Sequence, residues 1–414
     1  MVAVALVGTL DTKGQEYAFV ADRLRALGVE VIIVDCGILG PPTLRPDIDR
    51  AEVAAAAGAD IGQLAGAGDR GAAVQTMSRG AGAVLERLHG AGRIAAAMAL
   101  GGTGGTSLAA AAFRQLPLGV PKLIVSTAAA GDTHPYVGES DLILVPSIVD
   151  VAGLNRISTR ILGNAAAAVA GMAGVPPVAP DTNAKPLVGA SMFGVTTPCV
   201  TRARERLEDL GYEVLVFHMT GSGGRTLESL ISNGLLAGVF DVTTTELADH
   251  LVGGIFGAGP DRLGAAARTG VPAVVSVGAL DMVNFGPPET VPEKFADRLF
   301  YQHNATTTLM RTTPEECAAL GARLAEQLRG SVGPATVFLP LRGISAIAGE
   351  GGVFFDPAAD AALFDAVRSG LADSPVELVE LGCDVNAPEF ADAMVDRLHA
   401  AITSNAAVST GKGV

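Results

Sequence analysis

The chain of 414 residues repeats itself, and the repeat limits its fold more than any single motif does. Arg23-Leu24 and Leu27-Gly28-Val29-Glu30-Val31 return as Arg206-Leu207 and Leu210-Gly211-Tyr212-Glu213-Val214 at one constant offset. At that same offset the apolar positions Tyr17, Val20, Leu24 and Leu27 return as Val200, Ala203, Leu207 and Leu210. Their spacing of three, four and three is that of one helix face. In the first copy the helix lies between two β-rich runs, Val2 to Val7 and Val29 to Val34, a strand-helix-strand unit with parallel strands. Weaker echoes follow: Asp241 to Glu246 behind Leu236 to Phe240, and Gly278 to Asp281 behind Val274 to Val277. The chain is therefore expected to form two three-layer, Rossmann-like α/β lobes with mainly parallel sheets, related by internal duplication and with a cleft between them. The lobes are expected at 1–178 and 179–404, joined through the proline-rich Val175 to Pro186, with 405–414 as a tail.

Periodicity also predicts a loop at Thr9 to Gly14 with a helix from Gln15, a helix from Ala72 to His89, and strands at Lys122 to Ser126 and Leu142 to Pro146. A long helix is expected over Val149 to Ala173. Near the end come a strand at Ala335 to Leu341, a helix at Ala359 to Ser369, a strand at Val376 to Leu381 and a closing helix at Pro388 to Ile402.

The stretch with most chemistry in it is Gly101-Gly102-Thr103-Gly104-Gly105-Thr106-Ser107, set between an apolar run and an alanine-rich helix. A strand, a glycine turn and a helix start present free backbone N–H groups at a positive helix end, which suits a phosphate or carboxylate. It fits neither the dinucleotide fingerprint, because Ser107 stands where the last glycine belongs, nor the phosphate loop, because no Gly-Lys-Ser/Thr follows. A tight turn needing positive φ angles and close packing would use the same glycines.

Composition narrows the partners. A formal charge of -14 without a basic run argues against nucleic acid as the main partner. Cys36, Cys199, Cys317 and Cys383 are far apart and form neither a disulfide framework nor a zinc ribbon. No apolar run reaches membrane-spanning length and the N-terminus lacks a charged leader region, so a soluble, cytoplasmic protein is expected.

Taken together, several loops resemble the Tm-one-like ATP-binding domain family. They are Gly8 to Gly14, Gly101 to Thr106, Gly131-Asp132-Thr133 with Tyr136 to Asp141, Asp150 to Arg156, Met192 to Cys199, Thr220 to Arg225, Asp241 to Glu246, Gly278 to Asn284 and Asp356-Pro357, in order along nearly the whole chain. The resemblance implies a two-lobed protein that binds ATP, with Mg²⁺, and self-associates as a dimer or higher homo-oligomer. A second small molecule is a further expected partner.

On that basis Gly101, Gly102, Thr103, Gly104, Gly105 and Thr106 are expected at the phosphates, with Thr103, Thr106 and Ser107 as hydroxyl donors. Asp11, Thr127, Gly131, Asp132 and Thr133 are expected to reach the same ligand, and Gly223, Gly224 and Arg225 to supply a cationic contact from the second lobe. Mg²⁺ needs one or two carboxylates besides water; Asp132, Asp241, Glu246 and Asp281 are the candidates, each also a plausible turn or cap residue. Two other function classes stay open: a hydrolase or lyase for a small carboxylate, drawing on His218, His134 or His303 with Ser191, Cys199 or Ser345, and a ligand-gated binding module without turnover.

Overall fold

The computed structural model describes residues 3–176 and 183–411. The chain divides into two compact units, Met1–Ala179 and Pro180–Val414. Met1, Val2, residues 177–182 of the proline-rich joint and the last three residues of the expected tail lie outside the described residues.

The N-terminal unit runs β1 (Ala3–Gly8), α1 (Leu10–Ala26), β2 (Glu30–Asp35), α2 (Arg50–Ala56), α3 (Ile61–Gly66), α4 (Arg70–Gly90), β3 (Ala96–Gly101), α5 (Thr103–Phe113), β4 (Lys122–Ser126), α6 (His134–Val137), β5 (Ile143–Pro146) and α7 (Ser158–Ala173). Its parallel sheet has the order β2-β1-β3-β4-β5. Successive residues of β1 point to opposite faces, and both faces are covered. Val4 and Leu6 pack with α1 and α7, while Ala3, Ala5 and Val7 pack with α2, α4 and α5. This is why β1 reads as an unbroken apolar run.

The C-terminal unit runs β6 (Leu187–Met192), α8 (Thr197–Asp209), β7 (Glu213–His218), α9 (Ser222–Ser232), β8 (Gly238–Thr243), α10 (Glu246–Val252), α11 (Gly264–Thr269), β9 (Ala273–Gly278), β10 (Met282–Phe285), β11 (Phe300–Asn304), β12 (Thr307–Arg311), α12 (Pro314–Leu328), β13 (Ala335–Pro340), α13 (Pro357–Leu371), β14 (Glu377–Leu381) and α14 (Pro388–Gly411). Its parallel sheet, β7-β6-β8-β9-β13-β14, repeats the strand order of the first and adds one edge strand. The duplication read from the sequence is thus a duplication of topology. Val200, Ala203 and Leu207 are buried as Tyr17, Val20 and Leu24 are, and Leu27 and Leu210 are both exposed. The antiparallel sheet β10-β12-β11 belongs to the second copy alone and was not anticipated.

Several boundaries differ from expectation, most by one or two residues and some by more. The Thr9–Gly14 loop is the first turn of α1, because Leu10 is buried and its N–H is met by the Asp35 carboxylate at 3.2 Å. The helix over 149–173 begins only at Ser158: Asn155 Oδ1 caps it, accepting from the Ile157 and Ser158 amides at 2.9 and 3.0 Å, and positive φ at Ile148 and Gly153 keeps the preceding stretch irregular. The closing helix passes Ile402 and continues to Gly411, into the expected tail.

Candidate functional site

In a sheet of order 2-1-3-4-5 the chain leaves in opposite directions from β1 and β3, and ligands bind beyond the carboxyl ends of those two strands. Here the two pair only from Val4–Ala96 to Leu6–Met98 and then part. Tyr17 holds the parting: its buried hydroxyl lies 2.6 Å from Val7 O and 3.0 Å from Leu100 O, and accepts from the Leu100 amide at 3.0 Å. A Cβ at Gly8 would lie 1.9 Å from that hydroxyl, so the strand end needs glycine there. Tyr17→Phe is expected to lower stability by about 1–3 kcal/mol, since the amide and carbonyls it leaves behind stay buried; urea unfolding measures it.

Beyond the wedge lies a cavity of about 400 Å³, within the range of roughly 300–1,000 Å³ usual for small-ligand sites. Its floor is Gly101–Gly105 above β3, and Thr9, Asp11, Thr12 and Lys13 above β1. Its wall is apolar, made by Ile38, Leu39, Val74, Met77 and Leu108. Arg70 and Asp150 complete it.

The floor carries open donors. The first helical bond of α5 runs from the Thr106 amide to Gly102 O at 2.9 Å, and Gly102 caps the helix with no side chain. The amides of Thr103, Gly104 and Gly105 therefore have no intrahelical acceptor. The glycines are not there for the backbone: none of Gly101, Gly102, Gly104 and Gly105 has a positive φ, and a Cβ on any of them would meet nothing closer than 3.5 Å. The tight-turn explanation of this loop thus fails, and what the missing side chains leave open is approach from the cavity. At Gly104 the nearest atom to such a Cβ is Arg70 Nη2, whose guanidinium has no ion-pair partner among the described residues. Lys13 donates to the Val151 carbonyl.

Asp11 and Asp35 shape the far end. Asp35, fully buried, accepts from the Leu10 and Gly37 amides and from Arg50 Nε at 2.7 Å. It thereby closes the N-terminus of α1, leaving α5 as the open one. Asp11 Oδ2 accepts from the Leu39 amide at 2.8 Å, with the Gly40 amide at 3.4 Å. Its Oδ1 is buried with no partner, and its side chain is only 3% exposed.

Other expected ligands are placed differently. Thr106 is buried and its hydroxyl bonds Gly102 O and Ser126 Oγ, and the Ser107 hydroxyl bonds Thr103 O, so Thr103 is the one hydroxyl of the three facing the cavity. Thr127, Gly131, Asp132 and Thr133 do not line it, although Thr127 Oγ1 is 3.7 Å from where a Gly102 Cβ would be. Asp132 accepts from the His134 amide at 3.0 Å, a turn bond.

In the C-terminal unit the expected anion and metal groups are spent on one another. Arg262, 1% exposed, holds both oxygens of Asp241 at 2.7 and 2.6 Å, Glu246 Oε2 at 2.8 Å and Glu228 Oε1 at 3.2 Å. Burial works against its charge, but Asp241, then Glu246 and Glu228, outweigh this and push its pKa up. Glu246 Oε1 accepts from the Gly221 and Gly224 amides at 2.7 and 3.0 Å. The glycines here are demanded by packing: a Cβ at Gly224 would lie 1.8 Å from Glu246 Oε2, and one at Gly223 2.0 Å from His218 O. Arg225 Nη1 donates to Gly257 O at 3.2 Å. Asp241 lies inside β8 and Glu246 opens α10, so neither is on the loop expected for it. Asp281 accepts from Ser345 Oγ at 2.7 Å, and burial pushes its pKa up to about 6 against the pull of Arg311. No group of three His, Cys, Asp or Glu able to hold a metal occurs among the described residues.

The nucleophile–base arrangement weighed from the sequence does not assemble either. Ser191 Oγ accepts from the Thr243 amide, Ser345 donates to Asp281, and burial pushes the Cys199 thiol up to about 12. Among the described residues no hydrogen bond joins any of them to His134, His218 or His303.

Two family models divide the sequence as the fold does: the N-terminal domain of the uncharacterised protein family UPF0261 matches residues 2–177, and its C-terminal domain matches residues 185–402. The chain belongs to the UPF0261 family. A UPF0261 protein of Clostridium tetani is 49% identical over 95% of this chain and 98% of its own length, and one of Rhizobium meliloti is 48% identical with the same coverage. The tomato ToMV resistance protein Tm-1(GCR237) is 40% identical over 95% of this chain but only 55% of its own length, which bears out the resemblance read from the loops. No described helix of the UPF0261 chain is long and apolar enough to cross a membrane.

What the sequence did not single out are Arg70, Asp35, Lys13 and Asp150. Lys13 and Asp150 stood within motifs of the resemblance without a role. Arg70 and Asp35 carried no local signal, being the first residue of one helix and the last of one strand.

Proposed function

We propose that this UPF0261 protein binds ATP in the crevice of its N-terminal unit, with the phosphates on the amides opening α5. The observation that carries the reading is the glycine loop that needs no glycine for its own backbone. A loop of that kind keeps its side chains away from something that comes close, and the three amides behind it suit an anion. Arg70 adds the cation that the helix end lacks, and a guanidinium meets phosphate in a bidentate fork. The apolar wall suits a flat base, and the volume suits one nucleotide. Mg²⁺ bound with the triphosphate would shield its β and γ oxygens; Asp150, which lines the cavity, is the carboxylate that would hold it, since one carboxylate suffices beside water ligands.

The test is calorimetry of ATP and AMP with and without Mg²⁺, on the wild type and Gly104→Val, with phosphate release assayed in the same samples. A valine side chain at position 104 has room in the fold, so melting should change little, while its methyl groups occupy the space in front of the amides. ATP affinity is expected to fall at least about a hundredfold, as loss of several charge-assisted hydrogen bonds requires. Unchanged affinity in this variant would remove the phosphates from α5, and no nucleotide binding by the wild type would end the reading altogether. Phosphate release separates an ATP-consuming enzyme from a module gated by ATP.

A further inference from the structure

We infer that Asp11 is the residue that selects the sugar, accepting a ribose hydroxyl on Oδ1; the inference rests on the nucleotide reading of the crevice. The carboxylate is 3% exposed, lines the cavity, and has one oxygen satisfied by the Leu39 and Gly40 amides and the other buried with no donor. A buried carboxylate oxygen without a donor costs free energy that a ligand can recover. Arg50, whose Nη1 is 3.9 Å from Oδ2, donates to Asp35 through Nε and to Gly40 O through Nη1, and makes no hydrogen bond to Oδ1.

Chemistry then decides which part of the ligand comes here. Phosphate oxygens only accept, and beside a carboxylate they are repelled. The donors of a nucleotide are its sugar hydroxyls and the amino group of its base. Strand order places them: α5 stands over β3, Asp11 over the neighbouring β1, and the apolar residues Ile38 and Leu39 beyond β2. A ligand with its phosphates on α5 and its base against the apolar wall crosses β1 with its sugar. In dinucleotide-binding folds a sugar hydroxyl is read by an acid near the end of β2; here that acid, Asp35, is consumed internally, and Asp11 reaches the region from β1.

The full-length chain is titrated with ATP, 2′-deoxy-ATP and 3′-deoxy-ATP at fixed Mg²⁺, and with the same ligands as Asp11→Asn, which keeps an acceptor for the Leu39 amide. The wild type is expected to bind ATP about ten- to a hundredfold more tightly than at least one deoxy analogue, as loss of a hydrogen bond to a charged group implies. Asp11→Asn is expected to lose most of that preference while holding the deoxy analogue as tightly as the wild type does. Equal binding of all three nucleotides by the wild type overturns the inference and leaves the nucleotide site standing. So does a variant that keeps its sugar preference but needs more Mg²⁺, which would make Asp11 a metal ligand. Absence of any nucleotide binding instead defeats the underlying reading. If the variant fails to fold, the comparison of analogues on the wild type decides alone.

Discussion

Arg262→Ala is expected to cost the C-terminal unit about 3–5 kcal/mol or more, the range for removing one partner of a buried ion pair. The substitution deletes the cation shared by Asp241, Glu246 and Glu228, and two of those carboxylates are almost wholly buried. Each would have to stay ionised without a partner or take up a proton. Glu228 shows the tendency already, since burial pushes its pKa up even beside the arginine. Burial raises the Glu228 pKa and Arg262 pulls it down, so without Arg262 it rises further above its unfolded value and the folded variant binds more protons than the unfolded chain. Its stability must then increase as the pH falls through that raised value, until the normal carboxylate range near pH 4 is reached. Urea unfolding of wild type and variant at pH 5 and pH 8 reads this as a deficit that shrinks in acid. Combining Arg262→Met with Asp241→Asn and Glu246→Gln, which removes the cation with its two most buried carboxylates and leaves Glu228, should restore part of the loss. A deficit that is the same at both pH values would mean the carboxylates were not the cause.

In the N-terminal unit, Asp35→Ala is expected to be of similar size, about 3–5 kcal/mol. It strands the half-buried Arg50 and leaves the Leu10 and Gly37 amides without their acceptor. The same change opens the N-terminus of α1 and loosens the turn that carries Leu39 and Gly40, whose amides hold Asp11. Nucleotide affinity should therefore drop together with the unfolding midpoint. Asp35→Asn keeps the shape and one acceptor and is expected to lose roughly half as much, because hydrogen bonds to charged groups are worth about twice neutral ones. Calorimetry and denaturant unfolding of the two variants check both numbers; an Asp35→Ala protein as stable as the wild type would show that Arg50 finds another partner.

Which features were legible in the sequence depends on how local their causes are. Lys122–Ser126 was read to the residue because the apolar Leu123, Ile124 and Val125 are bracketed by the polar Lys122 and Ser126 in the chain itself. The glycine loop was legible for the same reason: a strand, glycines and a helix follow one another along the chain. The stretch from Val149 failed because apolar residues there mimic a helix face, while the Asn155 cap and the positive φ of Ile148 break it. Arg70 could not be found, since only the fold lays the start of α4 over a loop more than thirty positions onward. Asp241 and Glu246 were found as acids near strand ends but given a metal, because their partner Arg262 lies in a stretch with no pattern of its own. Sequence marks where charge will be buried more readily than what neutralises it.

The C-terminal unit fills its own glycine turn with an anion that cannot exchange. At the glycine turn of the C-terminal unit the amides of Gly221 and Gly224 already hold Glu246, and Arg262 holds it from the other side. A carboxylate tethered by the chain itself competes at an effective concentration of about millimolar or above, which free phosphate or nucleotide would have to exceed merely to begin displacing it. The turn after β7, whose counterpart in the first sheet follows β2, thus has a permanent tenant supplied by the chain itself. On the proposed nucleotide reading, calorimetry is therefore expected to saturate at a single equivalent per chain, with no contribution from the turn that Glu246 fills.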